Sequence, residues 1–323
     1  MSRRVALTVV LLAFAPLSVL LALRYGSVDT DWLTLWHILR GTSEGTAATA
    51  VLELRLPRAL AAFAVGGMLA LAGTLLQVLL RNPLADPYVL GISGGAAVAA
   101  LSALLLGLGG LWVNGAAFAG ALTAMFLVFG LSRAGGVWTS NRLLLTGVVL
   151  AAGFGALVSL LLALAPHEPL AGMVFWLLGD LGYSRAPGTG LAVLAVGLIA
   201  AFLLARPLNL LARGEVVAAT LGESPARLRL SVYFLASLLT AMAVTLGGAI
   251  GFVGLVVPHL LRLLIGADHR FLLPQAVLLG GSLLAVADTL ARNVAAPVQL
   301  PVGVLTALLG VPAFLYLLTR ANR

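Results

Sequence analysis

An all-α polytopic membrane protein is the fold class that this sequence predicts, on three observations. Of 323 residues, 61% are hydrophobic and 9% charged, against roughly 25% charged in a soluble domain. The apolar residues gather into ten runs, several close to the roughly 20 residues that carry a helix across a bilayer. Every cation is an arginine, 19 in all with no lysine, and most arginines stand at the ends of those runs. Such a chain cannot cover itself in water, so its solvent is lipid.

The expected spans are 5–23, 59–80, 88–107, 112–132, 142–165, 190–205, 230–247, 250–266, 272–291 and 301–319. The first follows Arg3-Arg4, is longer than a signal-peptide core and lacks a small-residue cleavage site, so it reads as a retained helix. An eleventh apolar piece, 173–178, is too short to cross and reads as a short helix at a membrane face. Ten spans put both termini on one side. With that side cytoplasmic, thirteen arginines lie inside and six (Arg24, Arg40, Arg55, Arg58, Arg185 and Arg292) outside, as the positive-inside rule requires. The whole chain, 1–323, reads as a single transmembrane domain.

Composition also excludes functions. The basic balance, +8, comes without an aromatic-interleaved patch, so no nucleic-acid partner is expected. Without lysine there is no P-loop lysine for nucleotide phosphates, so any ATPase is a separate chain. The chain has no cysteine and no His/carboxylate set at ligand spacing, so neither a metal site nor another bound cofactor is expected. His259 reads as a structural hydrogen-bonding residue, and His37 and His167 are isolated. Small residues recur along helix faces at Gly91/Gly95/Ala99 and Gly147/Ala151/Gly155/Ser159, with Ala70, Gly73 and Gln77 on another face. Their main expected use is close helix packing.

The polar connectors are the informative part. Arg55 and Arg58 flank Pro57, which pre-sets a helix start and would hold both guanidinium groups one turn apart at the outer surface. Asp288 lies four residues before Arg292, the spacing of a helical ion pair. The longest polar stretch, 206–229, contains Arg213, Gly214, Glu215, Ala218, Leu221 and Gly222. Residues 215–221 read as a short helix closed by Gly222 at C′, followed by Ser224 as N-cap and Pro225 at N1. Two short helices with a tight elbow make a rigid knob. Thr139 and Ser140 open the fifth span, with Ser140 a candidate N-cap. Arg81-Asn82-Pro83-Leu84-Ala85-Asp86-Pro87 leads into Gly91-Ile92-Ser93-Gly94-Gly95, and Gly251 to His259 is followed by Arg262 and Asp268-His269-Arg270.

In this order, these blocks resemble the FecCD-type permeases, the membrane subunits of ABC importers for ferric siderophores, haem and cobalamin. The resemblance runs from about Arg55 to Arg320. It implies a BtuC-like, type II importer fold and a homodimer with two cytoplasmic ABC ATPases and one periplasmic binding protein. ATP is then used by the partner ATPase, and this chain has no catalytic residue. It further implies that Arg55, Arg58 and Arg292 receive the binding protein. The 206–229 loop, with Arg213, Gly214, Glu215, Ala218, Leu221 and Gly222, would seat in the ATPase. Thr139 and Ser140 would narrow the cytoplasmic mouth of the pathway. The implied substrate is a large metal chelate, with an iron siderophore placed ahead of cobalamin or haem, and the implied location is the bacterial inner membrane.

Two rival functions remain. An ion-coupled secondary transporter would keep ionisable residues at mid-membrane, whereas these span centres carry almost none. An intramembrane serine protease could use Ser93 in Gly91-Ile92-Ser93-Gly94 with His259 as base, provided the two come within hydrogen-bond reach. That short motif stands outside its expected context.

Overall fold

A computed structural model describes residues 3–134, 136, 138–182 and 187–321; Arg185 therefore lies outside the described residues. Among the described residues fifteen α-helices follow one another: α1 (Arg3–Arg24), α2 (Trp32–Leu39), α3 (Thr46–Thr49), α4 (Leu56–Leu79), α5 (Ile92–Leu105), α6 (Gly110–Arg133), α7 (Ser140–Leu164), α8 (His167–Leu178), α9 (Pro187–Leu203), α10 (Ala205–Leu211), α11 (Glu215–Thr220), α12 (Pro225–Gly247), α13 (Val253–Ile265), α14 (His269–Asn293) and α15 (Val302–Ala321). A π-helical turn, Ala50–Arg55, joins α3 to α4, and a 3₁₀ turn, Pro87–Leu90, precedes α5. Among the described residues there is no strand.

Among the described residues six helical stretches are long and apolar enough to cross a membrane: α1, the α3–α4 stretch, α6, α7, α12 and α14. The bent pair α9–α10 makes a seventh, and α5, α13 and most of α15 are shorter apolar helices. These coincide with the ten expected runs. The structure adds what the apolar runs did not mark: α2, α3 and the π turn, which form a cap beside the end of α1. It also lengthens the short 173–178 helix to α8. One side of that helix packs on the bundle, with Met173 and Trp176 buried, and Gly179 O accepts from Val302 N at 3.1 Å.

Nearly every residue of α4 from Ala59 onward is buried, so α4 is the central post. It runs antiparallel to α14, with Arg58 at its start beside Asp288 near the end of α14. The two helices touch at Gly66 and Gly280: a Cβ at Gly66 would lie 2.2 Å from Gly280 O. One turn along, a Cβ at Gly280 would meet Ala70 Cβ at 2.5 Å. Gly73 meets Gly254 of α13 in the same way, at 1.9 Å from its carbonyl oxygen. The Ala70/Gly73 face is therefore a packing face, as expected. In the α5–α6 crossing, Gly95 packs on Gly120.

Gly147 of α7 packs on Leu90, whereas Gly153 and Gly155 meet nothing. Only Leu143 and Gly147 of α7 are buried, so most of this long helix faces outward. Two breaks in regular structure meet inside the bundle. Tyr88 Oη accepts from Ile250 N at 3.0 Å, and Pro87 fills the space above Gly254.

Candidate functional site: two polar ends joined by α4 and α14

At the Asp288 end, a cleft of about 820 Å³ is lined by Arg55, Arg58, Arg292, Glu53 and Gln299 among others. The three arginines expected to act together thus line one cleft, although 237 residues separate the first from the last (292 − 55). They are not equivalent. Arg58 Nε lies 3.1 and 3.0 Å from the two Asp288 oxygens, and its Nη2 lies 2.9 Å from Oδ1. Asp180 Oδ1 stands 3.5 Å from the same Nη2, and Gln299 Oε1 accepts from Nη1 at 3.4 Å. Arg292 Nε approaches Asp288 Oδ2 at 3.1 Å across one helical turn. Asp288 is 1% exposed. A buried carboxylate between two guanidinium groups needs no further counterion.

Arg55 departs from the sequence expectation of a guanidinium presented at the surface. Only 4% of the residue is exposed. Its Nη1 donates to Leu23 O at 2.8 Å, Arg24 O at 3.3 Å and Thr30 Oγ1 at 3.2 Å, and its Nη2 donates to Val28 O. Three of these acceptors are backbone carbonyls from the end of α1 and the turn after it. Arg55 closes that turn, because five fixed donors on one planar group can satisfy several carbonyls at once. A Cβ on Gly26 would collide with this guanidinium at 2.6 Å.

At the Asp268 end, α10 and α11 form an elbow, though not where it was expected: α11 is the expected short helix, but Pro225 opens the long α12, and the second short helix is α10, which precedes α11. Gly214 starts α11 at φ +123 and Gly222 follows it at φ +87. Gly222 N donates to Ala219 O at 3.1 Å and Glu223 N to Ala218 O at 3.0 Å, the paired bonds of a Schellman ending. Ala218 is buried against the bundle, while Val216 and Leu221 are 77% and 62% exposed. Arg213 lies in the elbow before Gly214, and its backbone N donates to Leu210 O at 3.0 Å. Pro225 does stand at N1 of α12, but the Ser224 side chain makes no capping bond. Glu215 pairs with Arg81 at 2.9 Å and Arg229 at 3.2 Å.

Behind the elbow, Asn209 Nδ2 donates to Asp268 Oδ1 at 2.9 Å, and Asn209 Oδ1 accepts from His269 N at 2.9 Å. Arg4 pairs with Asp268 at 3.5 Å. Partial burial pushes the Asp268 carboxyl up, but the Asn209 bond, the Arg270 N–H and two nearby arginines outweigh it and hold it below the usual carboxylate range.

The N-cap role expected of Ser140 falls to Thr139. The N-cap of α7 is Thr139, whose Oγ1 accepts from Arg142 N at 3.3 Å. Ser140 instead donates to Leu79 O at 2.8 Å, tying the start of α7 to the end of α4. His259 also differs from expectation: its ring stands edge-on to Phe314 at 5.7 Å and its Nε2 is buried without a partner. Ser93 shares no hydrogen bond with it, so nothing supports a protease pair. Gln77 takes the polar role instead. It accepts from Arg262 and donates to Ala85 O and Leu255 O, both at 3.4 Å. Among the described residues no three His, Asp or Glu side chains gather as metal ligands.

Known proteins share this architecture. The FecCD transport family matches residues 11–320. The chain belongs to the FecCD transport family. It is 44% identical to the cobalamin import permease BtuC of Halobacterium salinarum over 84% of this chain and 74% of that protein. The hemin transport permease HmuU of Yersinia pestis is 42% identical over 91% of this chain and 90% of its own length. The Bacillus subtilis ABC transporter permease YvrB is 38% identical over 100% and 96%. A solved metal-chelate type ABC transporter in an inward-facing conformation superposes with a TM-score of 0.84 at 32% identity, over 96% of this chain and 99% of that one. The FecCD-type membership makes this chain an ABC importer permease, a multi-helix membrane subunit.

Of the polar contacts, the sequence marked Asp288–Arg292, because i,i+4 spacing is visible along a helix. It did not mark Asp288–Arg58, Glu215–Arg81 or Gln77–Arg262. Those pairs are 230, 134 and 185 residues apart, and no local period relates them.

Proposed function

We propose that this chain moves a large metal chelate across the bacterial inner membrane. It would receive the chelate from a periplasmic binding protein and be driven by ATP hydrolysis in a partner subunit. Two copies about a two-fold axis, two ABC ATPases and one binding protein would form the complex. The chain itself needs no cofactor and carries no catalytic residue. The observation that carries this reading is the pairing of two unlike ends on shared helices. One end is a three-arginine cleft, and the other is a rigid elbow with exposed apolar tips.

The elbow end, where α1 begins and Arg4 pairs with Asp268, is the one we place in the cytoplasm on the arginine bias. The cleft end then faces the periplasm, where Arg58 and Arg292 offer positive charge to acidic residues of the binding protein. Such complementarity fixes register and speeds encounter. Arg55 contributes by holding the cleft wall. At the elbow, Val216 and Leu221 are the apolar tips that a cleft in the ATPase would cover, and the two glycine turns keep α11 rigid. Exposed α7, opened by Thr139 and Ser140, is the helix we assign to the pathway between two copies. Uncharged small residues there would pass a bulky chelate.

Relatives named for cobalamin and hemin favour a tetrapyrrole chelate over the iron siderophore that the motif resemblance put first. An ion-coupled secondary transporter gains no support, since the ion pairs described cluster at the two ends.

The test is a mild-detergent pull-down of the tagged chain from its native membrane. Recovery of a P-loop ATPase at about one per copy supports the importer. A chain that purifies alone and moves a solute down an ion gradient in liposomes overturns it.

A further inference from the structure

One carboxylate at the start of α11 reaches two other segments of the bundle. Glu215, the first residue of α11, holds Arg81 Nη2 at 2.9 Å and Arg229 Nη1 at 3.2 Å with the same oxygen. Its two partners belong to different segments. Arg81 opens the connector from α4 to α5 and stands at φ +50, a left-handed backbone that disfavours a non-glycine residue. That connector continues to Val89 and Leu90, which lie directly against Gly147 of α7: a Cβ there would be 2.8 Å from Val89 O and 2.9 Å from Leu90 Cα.

Arg229 lies in the second turn of α12. Its guanidinium sits 5.5 Å over the Trp138 ring, immediately before Thr139 and Ser140. Trp138 is fixed in turn, with its Nε1 donating to Ser132 Oγ at 3.0 Å and its ring edge-on to Tyr233 at 6.0 Å. Ser140 donates to Leu79 O, two residues before Arg81. A closed circuit results: α11 to connector, connector to α7, α7 to α4, and α12 back to α11.

We propose that Glu215 is a positioning residue for transport, the link that makes the connector and the mouth of α7 follow α11 when the ATPase moves it. This rests on the reading of 206–229 as the coupling loop and names the group by which coupling leaves that loop. The chemistry suits a link that must engage and release. Arg81 and Glu215 are 47% and 36% exposed at their side chains, and such an exposed pair adds too little stability to trap either state. Arg229 is the firmer anchor, at 13% exposed. A shift of α11 can therefore break one contact while keeping the other.

The experiment uses the assembled permease–ATPase complex. The natural chain has no cysteine, so a single introduced thiol is unique in it. Leu84→Cys reports the connector and Val216→Cys reports α11; both are exposed in the isolated chain, and Val216 stands at the seam the ATPase would cover, so its rate reads movement of that seam. Maleimide labelling rates are read on the permease band, without nucleotide and with ATP plus vanadate. With Glu215 present, both rates should change by roughly threefold or more, the scale of couplings carried through packed networks. In Glu215→Gln the Val216→Cys response should persist and the Leu84→Cys response should vanish. Glu215→Asp, which keeps a carboxylate for both Arg81 and Arg229, should retain the Leu84→Cys response.

A Leu84→Cys response that survives Glu215→Gln overturns the link. So does loss of the ATPase from that variant, which would make Glu215 a docking residue. A Val216→Cys rate indifferent to nucleotide in the otherwise natural complex would instead sink the coupling-loop reading itself.

Discussion

Arg58 on α4 and Asp288 on α14 close the cleft end of the bundle through three contacts of 2.9 to 3.1 Å. Arg292 shares the same carboxylate. The shared carboxylate balances one of the two positive charges beside the apolar bundle, leaves the other for the cleft, and fixes where α14 ends relative to where α4 begins.

Asp288→Asn removes the one negative charge held between them. Breaking a buried pair from one side costs about 3–5 kcal/mol, so the variant should unfold at clearly lower temperature in detergent. Asp180→Asn, at 3.5 Å and more exposed, should shift the melt little. Equal effects of the two would contradict the geometry.

Arg55→Met tests a tether rather than a docking contact. It strands carbonyls of Leu23 and Val28 that Arg55 now satisfies, at about 1–3 kcal/mol for a buried unsatisfied group. Hydrogen exchange should rise across residues 24–30. Binding-protein affinity should fall less than in Arg58→Glu.

Capture of the binding protein should slow as salt is raised, because charge steering is screened beyond a Debye length of about 8 Å at physiological ionic strength. Stopped-flow association at several ionic strengths measures this. A flat salt profile would remove the arginine cleft from the encounter.

Gly222→Val isolates backbone strain in the elbow. A Cβ there meets no atom within 4 Å, so the cost is the φ of +87 alone. That is roughly 1–2 kcal/mol for a residue with a side chain. ATP hydrolysis per substrate transported should rise in Gly222→Val and stay normal in Gly222→Asn, since Asn tolerates this conformation. Identical coupling in both would dismiss the rigid elbow.

Gly66→Ala places a methyl 2.2 Å from the Gly280 carbonyl oxygen. Neither backbone can yield without parting α4 from α14, and overpacking of this kind costs about 1–3 kcal/mol or more. Gly155→Ala, open on α7, should leave monomer stability unchanged. Thermal melts of the two variants decide the contrast.

The ten apolar runs were legible because a bilayer imposes length and composition on each span separately, whatever its neighbours do. Gly222 as a helix ending was legible for a related reason: its cause lies within five residues of chain. Asp288–Arg292 belongs to the same class, being one turn of one helix. Tertiary structure alone decided the rest. It turned Arg55 inward onto carbonyls of another helix end, gave the capping bond to Thr139 and sent Ser140 to Leu79. It also set Glu215 between Arg81 and Arg229. Each of these outcomes depends on which helix ends are brought side by side. That is set by glycine-to-backbone fits such as Gly66 on Gly280 and Gly73 on Gly254, whose partners lie far apart in the chain and leave no periodic trace in it.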